Sequence, residues 1–351
     1  MYLTFHVDDI LIAYNAAAQT DALKFKCDLL SRFDGRDEGP LTTYLGIDID
    51  YNKSAGTLKI SQEELILDLL DRTDLSDCNP VSTPLPPGIR ISKPAPDTVP
   101  DKALGVRYRE VVGALQYLAT WTRVDIARAA HSLAKHSANP TEEHWKAAKH
   151  TLRYLKGTSS EGITYTRLPS THPHANRLFG YSDSDWAACV DTRKSVGAFV
   201  LFLNGGPVSW RSKQQTSVAL STCEAEFMAA SKASTEALLL RRILAGLGCP
   251  QRTSTPLYED NRAALLLADN PVHKERTKHI DMHLHSLREQ VANGVVKLIQ
   301  CPTNDMTADV LTKALPAPAF RRHRDVMFGQ APHSAPEFIS TLRTLIAVCI
   351  N

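Results

Sequence analysis

Residues 177–213 read RLFGYSDSDWAACVDTRKSVGAFVLFLNGGPVSWRSK, and their pattern sets the fold. Apolar and aromatic residues gather into three short runs, 177–182, 195–203 and 208–212, with turn chemistry between them, so three strands are expected. Asn204-Gly205-Gly206 tolerates positive φ and marks a tight hairpin between the second and third. The first run halts at Asp183-Ser184-Asp185. A lone carboxylate buried at the end of a central strand costs on the order of several kcal/mol. It therefore faces solvent or holds a cation.

Further acids follow downstream. Ser221-Thr222-Cys223-Glu224 has the form of a capping box, predicting a long helix to Leu247 that Gly248 ends and Pro250 blocks. Glu224 is engaged with the cap. Glu226, about 200° further round the axis, lies beside Ala225, Ala229 and Ala230, small residues that let a helix sit close on a sheet. Glu226 is the acid expected to point at Asp183. A short strand, 257–258, ends at Glu259-Asp260 just before a helix, the position where open α/β sheets place their sites. A last strand at 295–300 precedes a short helix in NDMTADVLTKAL, 304–315, carrying Asp305 and Asp309 four apart on one face. Asp185 rivals Asp183, and Asp305 rivals Asp309. His279, His283 and His285 hint at zinc, but no cysteine or acid stands at ligand spacing, which favours a helix-face or phosphate role.

A net charge of +2 leaves no global field for nucleic acid, so any such binding rests on local basic faces. Seven scattered cysteines without a CxxC pair argue against a zinc ribbon or disulfide framework and for a reducing compartment, cytosol or nucleus. No apolar run approaches the roughly 18 residues of a membrane span. The opening MYLTFHVDDILIAYN meets acids within its first ten residues and does not read as a signal peptide.

Two β-type runs, 2–7 and 10–14, meet at Asp8-Asp9, which a tight turn would present together at its tip. A solvated turn is the plain alternative. Residues 16–33 read as a helix, 43–51 as a strand and 57–60 as its hairpin partner. Asp48 and Asp50 share a face of that strand, more in keeping with solvation than with metal. Ser61 with Glu64 predicts a capping box for a helix burying Leu65, Ile66, Leu69 and Leu70. Seven prolines between Pro80 and Pro100 forbid helix and sheet interiors and predict an extended linker. Helices are then expected over 108–122 and 125–137, with a third opening at Asn139-Pro140. That third helix buries Trp145, Ala148, Leu152 and Leu155 and carries Lys146, Lys149, Arg153 and Lys156 on another side. Such a basic stripe is a solvated face or a phosphate track.

Several of these stretches resemble copia-type retrotransposon Pol. FHVDDILIA (5–13) looks like the catalytic hairpin of its reverse transcriptase, with His6 where the family usually has Tyr. Tyr44-Leu45-Gly46-Ile47 is similar to the strand beside the primer terminus. The chain opens at this hairpin, so the resemblance implies a remnant polymerase site, Asp8 and Asp9, and no polymerase activity from this chain alone. YREVVGALQYLATWTRVDIARAAHSLAKH and NPTEEHWKAAKHTLRYLKGT resemble the thumb-like module that follows, with Val124 in place of the usual Pro. YSDSDW, SKQQTSVALSTCEAEFMA, LYEDNRAAL, NPVHKERTKHID and NDMTADVLTKAL, in that order, resemble its RNase H domain.

The resemblance implies an α/β and α+β architecture. A partial reverse-transcriptase palm (1–77) is followed by a Pro-rich linker (78–104) and a helical thumb-like or connection module (105–160). An RNase H-like mixed five-stranded sheet with flanking helices (175–320) and a tail (321–351) complete it. It implies that Asp183, Glu226, Asp260 and Asp309 hold two Mg²⁺, or Mn²⁺, and hydrolyse the RNA strand of an RNA–DNA hybrid. A catalytically silent relic that only binds nucleic acid is the alternative. Trp210, Arg211, Lys213, Lys274, Arg276, Lys278 and His279 could grip the hybrid backbone, and the upstream reverse-transcriptase portion is a possible partner. Beyond residue 320 only Arg321, Arg322 and Arg324 and an apolar helix near 339–350 are readable.

Overall fold

A computed structural model describes residues 1–269 and 281–333. The chain begins with a two-stranded hairpin, β1 (Tyr2–His6) and β2 (Asp9–Ala13), followed by α1 (Gln19–Arg32). β3 (Thr43–Tyr44), β4 (Ile47–Asn52) and β5 (Thr57–Ser61) lead into α2 (Glu63–Arg72). The helical module is α3 (Lys102–Trp121), α4 (Ala127–Ala134) and α5 (Glu142–Lys156), and a strand, β6 (Ile163–Thr166), leaves it. Then come β7 (Phe179–Asp185), β8 (Val196–Leu203), β9 (Gly206–Gln214), α6 (Thr222–Gly246), β10 (Thr255–Glu259), α7 (Arg262–Asp269) and α8 (Asp281–Ala292). β11 (Val296–Gln300), α9 (Asp309–Thr312) and α10 (Ala317–Met327) close the described chain.

The second sheet is five-stranded in the order β11-β10-β7-β8-β9, so β7 is central as its acidic end required. β7–β8–β9 pair antiparallel, whereas β10 runs parallel to both β7 and β11. This is the mixed five-stranded sheet expected of an RNase H-like domain. Asn204 and Gly205 take φ of 51° and 88° at the β8–β9 turn, the left-handed pair that a two-residue hairpin needs.

The central strands are apolar on both faces because both are covered. On β8, Ala198, Val200 and Phe202 face one core with Phe179 and Tyr181 of β7. Phe199 and Leu201 face the other, under Phe227, Ala230 and Ala237 of α6 and Leu287 of α8. The first core is continuous with Ile66, Leu115, Leu152 and Leu155, so the helical module forms the second cover of the sheet. Trp210 of β9 seals that seam, its indole Nε1 donating to Ala119 O at 2.7 Å. Its place is structural.

The structure alters several expectations. TYLGIDIDY is two strands broken at Leu45-Gly46, whose φ values of 51° and 67° turn the chain, while the Tyr117 hydroxyl donates to Leu45 O at 2.6 Å. Ser61 does not cap α2, because it is paired with Asp48 in the sheet. Gln62 takes the N-cap position without a side-chain capping bond. Its buried amide instead receives Thr122 Oγ1 at 2.8 Å. The stripe is as expected, with Ile66, Leu69 and Leu70 buried. Thr141, not Asn139-Pro140, begins α5, forming a capping box with His144.

The module boundaries also shift. β6 lies between the expected helical and nuclease segments, yet it pairs with β5 and completes a four-stranded sheet, β3-β4-β5-β6. Over 78–104 the chain is extended up to α3 but strapped down. His150 Nε2 meets Thr83 O, Thr151 Oγ1 donates to Pro84 O, and Arg153 Nε donates to Asn79 O. Arg153 thus anchors the strap. A break at residue 320 would cut α10, which buries Phe320, His323, Val326 and Met327 against the first core. The apolar helix expected near 339–350 lies outside the described residues.

Candidate metal centre

β7, α6 and β10 deliver the central residues of the site. Asp183, Glu226 and Asp260 each offer an oxygen, and these oxygens all lie within 4.8 Å of one another. Among the described residues no other group of three or more histidines, cysteines or acids comes this close. Asp183 shares a face with Phe179 and Tyr181 by strand alternation, so the core that fixes those rings also fixes the carboxylate. Glu226 occupies the second turn of α6, whose start is fixed by Ser221 Oγ accepting from Glu224 N and Glu224 Oε2 accepting from Leu220 N. Glu224 is thereby occupied at the cap, leaving Glu226 for the site. Asp260 follows the last residue of β10 and is oriented by Thr303 Oγ1, which donates to it at 2.9 Å.

Asp309, the first residue of α9, joins through a lysine. Lys313 Nζ lies 2.6 Å from Asp309 Oδ1 and 3.4 Å from Asp183 Oδ1, bridging the two acids. Thr312 Oγ1 donates to the other Asp183 oxygen. Asp305 sits in a separate 3₁₀ turn and not on the helix of Asp309, because the chain kinks between them. The expectation of one shared helical face therefore fails. Asp185 points into a neighbouring cleft with Arg128 and Lys313.

The electrostatics are those of packed, uncompensated charge. Burial, followed by Glu259, Asp183 and Asp260, pushes Glu226 up to about 11, with Ser184 lowering it only in part. Its Oε2 is buried without a well-formed hydrogen bond. Burial and Asp183 lift Asp309 to about 7 against the pull of Lys313. Burial works against the Lys313 ammonium, but Asp183 and Asp309 outweigh it and raise its pKa. Like carboxylates this close cannot all stay ionised without a counter-charge.

Sequence reading missed two members. Glu259 is fully buried one residue before Asp260, takes Ser182 Oγ at 3.0 Å and is held well above the usual carboxylate range by burial. Lys313 had a legible signal, an acid and a lysine four apart in a short helix. Asp8 and Asp9 stand exposed at the β1–β2 tip, and no third ligand joins them among the described residues. Arg211 and Lys213 are exposed on β9. Lys274, Arg276, Lys278 and His279 lie outside the described residues. His283 Nδ1 meets Ser231 Oγ on α6 at 3.3 Å, a packing role.

Oxygen-only donors, an orphaned buried oxygen and mutual repulsion together fit a hard divalent cation. Comparison with known proteins places the chain. A family model described as reverse transcriptase (RNA-dependent DNA polymerase) matches residues 1–87. The chain is 37% identical over 328 residues to a retrovirus-related Pol polyprotein from transposon TNT 1-94 of Nicotiana tabacum, which covers 93% of this chain and 24% of that polyprotein. It is 35% identical over 236 residues to an uncharacterized mitochondrial protein of Arabidopsis thaliana, covering 67% of this chain and 92% of that protein. A foamy viral protease-reverse transcriptase solved in complex with RNA/DNA hybrid is similar over 86% of this chain and 36% of that one, at 12% identity and a TM-score of 0.46. The chain belongs to the copia-type retrotransposon Pol family. It spans about a quarter of the length of the Pol polyproteins it matches.

Proposed function

We propose that this chain hydrolyses the RNA strand of RNA–DNA hybrids at Asp183, Glu226, Asp260 and Asp309 with two Mg²⁺ or Mn²⁺ ions. The observation that carries this reading is the convergence of three carboxylate oxygens within 4.8 Å at the end of a central strand. When bound there, such ions supply an activated water and a counter-charge for the leaving 3′ oxygen. The chain's own part is positional. Thr312 and the β7 register hold Asp183, Thr303 orients Asp260, and the α6 cap fixes the rise to Glu226. Lys313 keeps Asp309 beside Asp183 and offers an ammonium to a non-bridging phosphate oxygen. Recognition of the hybrid would draw on its wide minor groove and the 2′-hydroxyls of one strand.

Primer extension is not part of the proposal, since Asp8 and Asp9 stand exposed without a third carboxylate among the described residues. The test is a labelled hybrid incubated with the purified full chain in Mg²⁺ or Mn²⁺. Wild type is expected to cleave the RNA strand and Asp183→Asn to leave it whole. Hybrid left intact by wild type in both metals would overturn the reading.

A further inference from the structure

Beside the acids, on the far side of Lys313, lies a cleft of about 430 Å³ built from three parts of the chain. The strap supplies Arg90, α4 supplies Arg128 and Lys135, and the nuclease domain supplies Arg193 and Lys313. Five cations face one lining acid, Asp185. We propose that this cleft binds a backbone phosphate of the nucleic-acid strand whose neighbouring phosphodiester lies at the four acids.

The cleft is fixed before any ligand arrives. Arg128 is anchored through Nε to Thr312 O at 2.8 Å and through a second nitrogen to Ser132 Oγ. The strap that brings Arg90 is pinned by Gly88 N donating to Ala314 O and by His144 Nε2 meeting Ser92 O at 2.9 Å. On the opposite wall Arg193 has a φ of 56°, in a turn closed by its own N–H to Cys189 O at 2.8 Å. Arg90 and Arg193 are both exposed, and Arg90, whose charge acts on Asp185 across the cleft, makes no hydrogen bond or ion pair within 4.0 Å among the described residues, so an anion can reach both. Lys135 Nζ, 3.8 Å from Cys189 Sγ, reports a positive interior. Against the effect of burial, Thr192 with the local backbone and then Lys135 bring that thiol down to about 7.

Lys313 joins the two sites, since it lines the cleft and touches Asp183 and Asp309. On this proposal a strand with one phosphate at the acids lays its next phosphate among Arg90, Arg128 and Arg193, the cations that share the cleft with Lys313. An acidic peptide would be drawn by the same charge, but it has no reason to share Lys313 with the acids. The strand's identity rests on the proposed function, whereas the cleft's affinity for phosphodiester does not.

The experiment measures binding without cleavage. A fluorescent RNA–DNA hybrid is titrated with full chain in Ca²⁺ over a range of salt. The triple variant Arg90→Gln, Lys135→Gln, Arg193→Gln is expected to bind at least about tenfold more weakly at 0.1 M salt. Its log K against log salt slope should be shallower by about 0.9, the value for one lost phosphate contact. A control with three exposed cations removed elsewhere, Lys24→Gln, Lys53→Gln and Arg252→Gln, should keep the wild-type slope. An unchanged slope in the cleft variant, or an equal loss in the control, overturns the proposal, as does displacement of hybrid by poly-glutamate with the same dependence on the three cations. A shallower slope in a chain that cleaves no hybrid would uphold the cleft and refute the nuclease. Normal cleavage with an unchanged slope would do the reverse.

Discussion

Two clusters of buried charge among the described residues are built on opposite rules. In the helical module Arg123 and Asp125 are both fully buried and form a two-point ion pair at 3.0 and 2.8 Å. Tyr154 donates its hydroxyl to Asp125, and Thr158 accepts two further guanidinium protons through its carbonyl and hydroxyl. Every charge there is matched. At the five-stranded sheet Asp183 and Asp309 share the Lys313 ammonium, while Glu226 and Glu259 have no cation at ion-pair distance among the described residues and a Glu226 oxygen is left over. The first arrangement specifies a structure. The second holds negative charge in reserve, which is the condition for taking up cations. Burial alone does not separate structure from function; the presence or absence of compensation does.

The comparison can be broken most directly by Asp183→Asn, expected to lower hybrid cleavage at least about 10³-fold while leaving thermal stability equal or higher. Cleavage surviving that change would remove the functional half of the contrast. Arg123→Ala should act in the opposite sense, costing about 3–5 kcal/mol in denaturant melts by stranding Asp125, with the acids of the five-stranded sheet untouched. A near-neutral result would show that the Arg123 pair is dispensable. Mg²⁺ or Mn²⁺ at about 100 times its dissociation constant should stabilise the native chain by about 2.7 kcal/mol in a thermal melt. Glu226→Gln should diminish that gain without lowering the metal-free midpoint. An undiminished gain would place the metal elsewhere.

Acid gives the smallest and most regional effect. Burial, with nearby cations or imidazoles, holds His131 and His136 of the helical module down to about 4. Both are neutral in the fold and protonated in the unfolded chain below about 6.5, so stability is retained above that pH and lost as pH falls toward 4. His136→Phe should flatten the decline in melts between pH 6.5 and 4. An unaltered decline would point to other groups.

Much of the sheet was legible because its signals are local. Alternation, the Asn204-Gly205 turn and the Ser221 cap each announce themselves within a few residues. Glu226 was separable from Glu224 because helix periodicity fixes facing, whereas Asp183 and Asp260 were preferred to Asp185 and Glu259 through the family resemblance. What was not legible depends on contacts distant in sequence. Ser61 fits a capping box until β4 claims it, and Glu259 looks like half of a surface pair until Ser182 takes its oxygen. The prolines of 78–104 state that the chain is extended, but not that α5 holds it. Residues 163–166 carry little signal alone, since their strand exists only because β5 has an open edge.

That strand has a mechanical consequence. β6 meets β5 over four residue pairs, and its Thr164 N–H donates to Phe328 O just beyond α10. A load applied between the amino-terminal sheet and the five-stranded sheet would shear this short ladder together with the core they share. Separating the two would register as a distinct rupture, not a smooth extension.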